Sequence, residues 1–280
     1  IKDDQLTYGS TLLFEDLDFT LKKNEWTCLL GPSGVGKTTL LRTIANLVPN
    51  IKNVVINCSD NKAINGRTSY MAQEDLLLPW LNILDNVLLG FKLRSEQADT
   101  SKAKELIEMV GLSSCIRDLS DKLSGGMRQR VALIRTIMEN RPVILMDEPF
   151  SSLDAITRVR MQDIASELLK DRTVLLITHD PMEALRLGDR IFILSGRPVK
   201  FSAPIVPRGS RPRSMTDAQL LKEQAGLLKQ LSASSKLDLK YFFTADFVSF
   251  ESISPLKNLT PFIGSIFLIS IDIILPTLII

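Results

Sequence analysis

The residues Gly31 to Thr39, with the sequence GPSGVGKTT, carry the most definite chemistry of this chain. They match the pattern G-x-x-x-x-G-K-[ST] and lie between the strand-like Trp26–Leu30 and the helical spacing of Thr38–Leu47. Glycines in such a turn let backbone N–H groups curl around a phosphate, and the start of the helix adds partial positive charge. The segment therefore predicts a nucleotide phosphate-binding loop.

The side chains of this loop have distinct tasks. We expect Lys37 to reach the β- and γ-phosphates and the Thr38 hydroxyl to ligate Mg²⁺. The glycines bring backbone amides to the β-phosphate. The predicted nucleotide-binding residues of the loop are Gly31, Ser33, Gly34, Gly36, Lys37, Thr38 and Thr39.

Two acidic residues end the apolar run that starts at Val143. Asp147 comes at the carboxyl end of this predicted strand, where ligands of open α/β sheets gather, and a carboxylate there can hold Mg²⁺ through water. Glu148 follows directly and points towards the γ-phosphate side, which makes it the candidate general base. The alternative is that both carboxylates only cap the next helix. His179, the chain's single histidine, ends the next strand on the same edge and is a candidate for γ-phosphate contact.

The elements that must position these residues alternate between strand and helix. Unbroken apolar runs at Val143–Met146 and Val174–Ile177 are typical of strands buried on both faces of a parallel sheet. Helical segments at 127–139 and 155–170 lie between them, so we expect a doubly wound α/β core. Val54–Ile56 and Thr68–Ala72 are further predicted strands, and the segment from Gln73 to Leu123 is a mostly helical insertion.

Composition excludes some classes of function. Lys and Arg total 34 against 32 Asp and Glu, so a net charge of +2 gives no global electrostatic case for a nucleic-acid partner. Three widely spaced cysteines and one histidine argue against a disulfide framework or a metal site built from them. Reduced thiols favour the cytosol as the compartment.

A second glycine-rich, serine-bearing segment, Leu123–Gly126, has the sequence LSGG and narrows the choice among nucleotide hydrolases. With it, residues 5 to 205 of the chain resemble the ATP-binding subunits of ATP-binding cassette (ABC) transporters. Its D-loop, Ser151–Asp154, differs from the usual pattern of the family at Ser152, where alanine is commoner. The residues that carry the resemblance beyond the phosphate loop are Gln73 of the Q-loop, Ser151–Asp154 of the D-loop, the switch residue His179, and Tyr8, the aromatic that stacks on adenine.

The resemblance implies a fold and an activity. The implied fold is α/β: a P-loop NTPase core of the RecA-like type, with an inserted helical subdomain at about 74–129 and an antiparallel β subdomain, all within 1–205. The implied activity is ATP hydrolysis with ATP and Mg²⁺ as cofactors. The implied catalytic residues are Glu148, His179, Gln73 and Lys37, and the implied metal ligands are Thr38, Gln73 and, through water, Asp147.

The resemblance also implies a homodimer. In the family two such domains meet head to tail, so Ser124, Gly125 and Gly126 would touch the γ-phosphate of ATP held by the partner's phosphate loop. Asp154 would belong to the same composite site. We therefore expect the signature to face solvent in a single chain, far from its own Lys37. The alternative is that Ser124 is a simple helix N-cap, and both roles are compatible.

The segment Leu76–Leu81 points to a branch of the family. Its Pro79–Trp80 pair resembles that of bacterial nitrate, sulfonate and taurine importers, and Leu185–Arg190 is similar to the version in hydroxymethylpyrimidine (thiamine-precursor) importers. This segment would receive the permease subunits, with a periplasmic binding protein as an indirect partner. The alternative for 76–81 is a buried hinge. The subunit would lie peripherally on the cytoplasmic face of the inner membrane.

The C-terminal part departs from the cassette pattern. Residues 206–240 predict a basic, breaker-rich linker and an amphipathic helix at Asp217–Leu231, and 241–280 form an apolar tail. Three interpretations of the tail stay open: a peripheral segment packed on the core or a partner, a membrane span or the start of a fused permease, or a segment foreign to the family, produced by readthrough or misprediction. Residues 262–280 just reach the length of a span.

The alternative function from another class is a soluble, non-transport ABC ATPase acting on a macromolecular complex. Such proteins usually carry two cassettes or a long coiled-coil insertion. This chain shows one cassette and no sustained heptads, which favours the importer.

Overall fold

The structure is a computed structural model that describes residues 2–8, 11–48 and 54–251. The chain divides into two compact units, residues 1–237 and 238–280. Of the second unit only residues 238–251 are described, and they belong to a helix. Most of the predicted apolar tail, from 252 onward, lies outside the described residues.

The strands form two sheets. A two-stranded antiparallel sheet joins the first two strands of the chain, and a six-stranded sheet has the order β4-β5-β6-β3-β7-β8. In the larger sheet neighbouring strands from β4 to β7 run parallel, and β8 pairs antiparallel with β7. The strands are β1 Lys2–Tyr8, β2 Thr11–Asp18, β3 Trp26–Leu30, β4 Thr68–Met71, β5 Val143–Asp147, β6 Thr173–Ile177, β7 Arg190–Ser195 and β8 Lys200–Phe201.

The central strands are apolar because helices cover both faces of the sheet. Every residue of β3 and β6 is buried. Alternate residues of β5 enter different hydrophobic clusters: Ile144 packs on one face of the sheet and Leu145 on the other. This arrangement confirms the predicted α/β core with a parallel sheet.

The helices are distributed unequally over the two faces. Leu40 and Leu41 of α1 pack with Leu145 on one face, and the other helices from α2 to α7 supply the cluster that contains Ile144. Two short 3₁₀ turns, Ser113–Cys115 and Ser120–Lys122, precede α5. The helices are α1 Lys37–Ile44, α2 Ile83–Val87, α3 Leu89–Leu93, α4 Thr100–Met109, α5 Gly125–Met138, α6 Ala155–Leu168, α7 Pro181–Leu187 and α8 Ala218–Glu251.

Two predictions of secondary structure were wrong. Val54–Ile56 forms no strand: Val54 packs against the hydrophobic cluster that contains Leu145, but Val55 makes only an isolated bridge and is 51% exposed. The predicted helix Asp217–Leu231 is also too short, since α8 continues to Glu251. Within the described ranges, no helix is long and apolar enough to cross a membrane.

Candidate active site

The phosphate loop joins β3 to α1 at the carboxyl edge of the sheet. Its glycines have positive φ angles of 153° at Gly31, 77° at Gly34 and 108° at Gly36. A Cβ on Gly31 would lie 2.6 Å from the carbonyl oxygen of Leu194, so only glycine fits there. The β3–turn–α1 path therefore depends on glycine at its first position.

Lys37 lies inside this loop as its sequence position predicts. Its ammonium donates hydrogen bonds to the carbonyls of Gly31 at 2.7 Å and Pro32 at 2.8 Å, and the residue is only 8% exposed. Burial lowers the pKa of Lys37, and the negative charges of Glu148 and Asp147 oppose that change. The ammonium is thus held at the first turn of α1, where a helix already favours anions.

Asp147 has the environment of a metal-associated carboxylate. It ends β5 and is 2% exposed, and its Oδ2 atom has no hydrogen-bond partner among the described residues. Burial raises the pKa of Asp147, and a hydrogen bond from the Thr38 side chain opposes the rise. A buried carboxylate oxygen without a partner in the described part of the chain, next to a threonine hydroxyl, fits the oxygen chemistry of Mg²⁺.

Glu148 brings three predicted catalytic residues together. Its Oε2 atom lies 3.3 Å from Nε2 of Gln73 and 3.2 Å from Nδ1 of His179, although these residues are far apart in sequence. Its backbone has a φ of 49°, in the left-handed region, and its N–H donates to the carbonyl of Ile177 at 2.9 Å. The turn after β5 therefore aims the carboxylate away from Asp147 and towards the Q-loop and the switch histidine.

The signature segment lies at the start of α5. The backbone N–H of Met127 donates to Ser124 Oγ at 3.2 Å, so Ser124 is the N-cap of this helix. Ser124 and Gly125 are exposed and Gly126 is half-buried. A Cβ on Gly126 would lie 3.3 Å from the carbonyl of Ser152, which brings the signature close to the D-loop. The two exposed residues face solvent, where a second chain can reach them.

Asp154 of the D-loop caps α6. Its Oδ1 accepts the backbone N–H of Thr157 at 3.0 Å, and this hydrogen bond lowers the pKa of the Asp154 carboxyl. Of the remaining predicted residues, Ser33 is exposed, Thr39 is half-buried, and the side chain of Tyr8 lies outside the described residues.

The segment after Gln73 is attached to α5 by two arginines of that helix to which the sequence assigned no role. Arg128 Nε donates to Asp75 Oδ2 at 2.9 Å, and Arg135 donates to the carbonyls of Asp75 at 2.6 Å and Leu76 at 2.8 Å. The nearby Trp80 is 70% exposed and Leu76 is 57% exposed. Leu76 lines a cavity of about 430 Å³ together with other residues of the Q-loop, the start of α5 and the D-loop.

This segment has both buried and exposed apolar side chains, so the predictions of a hinge and of a partner surface are compatible with each other. Leu77 is buried at 9% exposure, whereas Trp80 stands in solvent. Large exposed apolar side chains such as Trp80 and Leu76 are typical of interaction surfaces.

The phosphate loop, its buried lysine and the carboxylates at the end of β5 define a P-loop nucleotide hydrolase. Comparison with known proteins narrows this class. Residues 14–151 match the family model described as ABC transporter. A Haemophilus influenzae ABC transporter ATP-binding protein, itself uncharacterized, is 45% identical over 82% of this chain and 97% of its own length. Aliphatic sulfonates import ATP-binding protein SsuB 1 of Rhodococcus jostii is 44% identical over 82% of this chain and 93% of its own length.

A solved structure supports the same conclusion. The dimeric ATP-binding cassette MJ0796, bound to ADP and phosphate, matches with a TM-score of 0.62 and 27% identity, covering 75% of this chain and 99% of that one. The chain therefore belongs to the ABC transporter ATP-binding proteins. It is an ATP-binding, ATP-hydrolysing subunit of an ABC transporter.

Proposed function

We propose that this subunit drives the import of a small anionic solute of the aliphatic sulfonate class. The hydrolytic part of the proposal is supported above all by the convergence of Gln73, Glu148 and His179 at the end of β5. The solute class is supported by the relative from Rhodococcus jostii, whose name specifies aliphatic sulfonates. The finer assignment to hydroxymethylpyrimidine importers, made from Leu185–Arg190, stays a prediction.

In the proposed mechanism Lys37 and the amides of the phosphate loop hold the β- and γ-phosphates. Thr38 and Asp147 would hold Mg²⁺, with Asp147 acting through water and Gln73 as a further ligand. When bound, Mg²⁺ neutralises charge that develops on the phosphate oxygens. Glu148 accepts a proton from the attacking water, and His179 contacts the γ-phosphate. Asp147 and Glu148 thus have separate roles because adjacent residues at the strand end point in different directions.

We further propose that the active unit is a homodimer with two composite sites. Ser124, Gly125 and Gly126 of one chain would complete the site around ATP held by the other chain, with Asp154 nearby. The exposure of Ser124 and Gly125 supports this arrangement, as does the dimeric state of the MJ0796 cassette. The free backbone N–H groups at the N-terminus of a helix can bind the anionic γ-phosphate.

The proposal also covers the partners of the subunit, its location and its domain boundaries. Permease subunits would dock at the Q-loop and Pro79–Trp80, with a periplasmic binding protein acting indirectly, so the subunit would lie peripherally on the cytoplasmic face of the inner membrane. The ATPase domain would span 1–205 with its helical subdomain at about 74–129. A linker and helix would span 206–240, followed by the tail at 241–280.

The proposal is tested with Glu148→Gln. The amide keeps the size of the side chain but cannot accept a proton, so steady-state hydrolysis should fall by about 10²-fold or more while MgATP still binds. Because ATP is then not consumed, gel filtration should show an ATP-dependent dimer. Wild-type turnover in this variant would remove Glu148 from the role of general base.

The solute is tested by complementation. In a bacterial strain that lacks its own aliphatic-sulfonate import ATP-binding protein, the wild-type chain, expressed with its proposed permease and binding-protein partners, should restore growth on an aliphatic sulfonate as sole sulfur source. The Glu148→Gln chain is the matched control and should not restore growth. Growth on sulfate should be equal for both, and failure of the wild-type chain on sulfonate alone would refute the solute class while leaving the ATPase intact.

A further inference from the structure

Gln129 links α5, the helix that begins within the signature, to the turn that carries Glu148. It lies on α5 shortly after the signature and is only 4% exposed. Its Nε2 donates to the carbonyl of Glu148 at 3.0 Å and lies 3.4 Å from Ser151 Oγ, and its Oε1 accepts the backbone N–H of Ser152 at 2.7 Å. One side chain thus bonds to the backbone on both sides of Phe150.

The chemistry of these partners leaves one orientation for the amide. The carbonyl of Glu148 can only accept and the N–H of Ser152 can only donate, so Nε2 must face the former and Oε1 the latter. A carboxylate cannot satisfy both, and a shorter amide cannot reach both. The site therefore needs a glutamine in particular.

The segment that Gln129 holds has an unfavourable backbone conformation. Glu148 has a φ of 49°, which costs a non-glycine residue free energy that its surroundings must offset. Its N–H is fixed by the carbonyl of Ile177, and its own carbonyl accepts from Gln129 and from Ser151. Hydrogen bonds on both sides of the Cα atom set the direction in which the carboxylate leaves the backbone.

We propose that Gln129 is a positioning residue for hydrolysis, holding Glu148 and the 151–152 turn in register with the signature helix. This inference rests on the proposed role of Glu148 as general base. It also gives the signature a second task. The helix that would contact the partner's ATP through Ser124–Gly126 also holds, through Gln129, the carboxylate that acts on the chain's own ATP. A shift of α5 would therefore move Glu148 through the side-chain amide of Gln129.

The test substitutes Gln129→Met, which keeps the length of the side chain and removes both hydrogen bonds. We expect kcat of the full chain to fall by about 10²-fold, as misplacement of a catalytic group by about 1 Å does, while KM for MgATP changes less than about threefold. If the methionine variant does not fold, Gln129→Asn, which is one methylene shorter, should show the same fall in kcat with little change in KM. Thermal unfolding checks folding in every case.

A matched control lies on the same helix. Thr136 is buried at 4% exposure and its hydroxyl donates within α5, to the carbonyl of Ala132. Thr136→Val should leave kcat within about twofold of wild type. An equal loss in this control would show that any disturbance of α5 lowers turnover, and would overturn the positioning role.

The decisive measurement is a double-mutant cycle with Glu148→Gln, using single-turnover hydrolysis of labelled ATP. If Gln129 acts through Glu148, Gln129→Met should lower the rate by less than about threefold in the Glu148→Gln background. A fall in rate of about 10²-fold on adding Gln129→Met to Glu148→Gln would overturn the positioning role alone. Wild-type kcat in both Gln129 variants would do the same. Wild-type turnover of Glu148→Gln itself overturns the general-base assignment and the positioning role together.

Discussion

Glu183 on α7 carries a buried carboxyl whose ionisation should govern how stability depends on pH. The residue is 5% exposed, and its Oε2 accepts a hydrogen bond from Gln162 at 3.2 Å. Burial raises its pKa from 4.5 to about 8, the nearby Asp180 adds to the rise, and Thr178, Arg158 and Gln162 oppose it. Together with Glu148 and His179, Glu183 lines a small cavity.

The sign of the effect follows from where the proton is held. Between pH 4.5 and about 8 the folded chain keeps Glu183 protonated, whereas the unfolded chain has it ionised. The folded state therefore binds more protons, so stability is lost as pH rises through this interval and is unaffected below it. A full pH unit corresponds to about 1.4 kcal/mol, so raising the pH from 5.5 to 7.5 should cost about 3 kcal/mol through this group.

Glu183→Gln removes the titration and keeps a side chain of the same shape that can still accept from Gln162. Thermal unfolding of both proteins at pH 5.5 and 7.5 measures the difference. On this pH increase the melting temperature of wild type should fall by about 5–10 °C more than that of the variant. All other titrating groups are common to the two proteins and cancel in the comparison.

The control is Glu105→Gln, which alters an exposed carboxylate on α4. It should leave the pH dependence of wild type unchanged. Identical pH dependence in wild type and Glu183→Gln would contradict the raised pKa, because it would mean that Glu183 ionises equally in the folded and unfolded chains.

Two further predictions concern the phosphate loop and the partner surface. Gly31→Ala places a methyl 2.6 Å from the carbonyl of Leu194 at a φ of 153°, and should destabilise the fold by about 2–5 kcal/mol in thermal or urea unfolding, with loss of ATP binding. Trp80→Ala removes an aromatic that is 70% exposed, and in the complementation assay should lower sulfonate-dependent growth or uptake by about tenfold while ATPase activity of the isolated subunit stays within about twofold.

Each of these has a matched control in the chain. Gly209 has a φ of 79°, and a methyl added there would meet no described atom within 4 Å, so Gly209→Ala should cost only about 1 kcal/mol; an equal cost at Gly31 would exclude the clash with Leu194. Ile156 is 84% exposed on α6, and Ile156→Ala should leave uptake unchanged. Equal losses of uptake for Ile156→Ala and Trp80→Ala would contradict a specific docking role for Trp80.

Much of the candidate site was predictable because its signals are local. The phosphate loop combines glycines, a lysine and a threonine within nine residues of sequence, Gly31–Thr39, and the strands that present Asp147 and His179 are short apolar runs. Parallel strands bury both faces, so their apolar runs are visible without any knowledge of partners. The prediction at Val54–Ile56 failed because a run of three apolar residues does not reveal whether its backbone pairs with a neighbouring strand beyond a single bridge.

The sequence by itself determined the central strands and helices of the α/β core, the phosphate loop and the signature, since these depend on periodicity and on short spacings. Only the tertiary structure decided which side chains meet. Gln73 and Glu148 are 75 residues apart, and their contact exists because β4 and β5 are neighbours in the sheet. The attachment of Gln129 to the Glu148 turn likewise depends on how α5 packs over the end of β5. Such contacts depend on the geometry of packed elements, and no local pattern of residues encodes them.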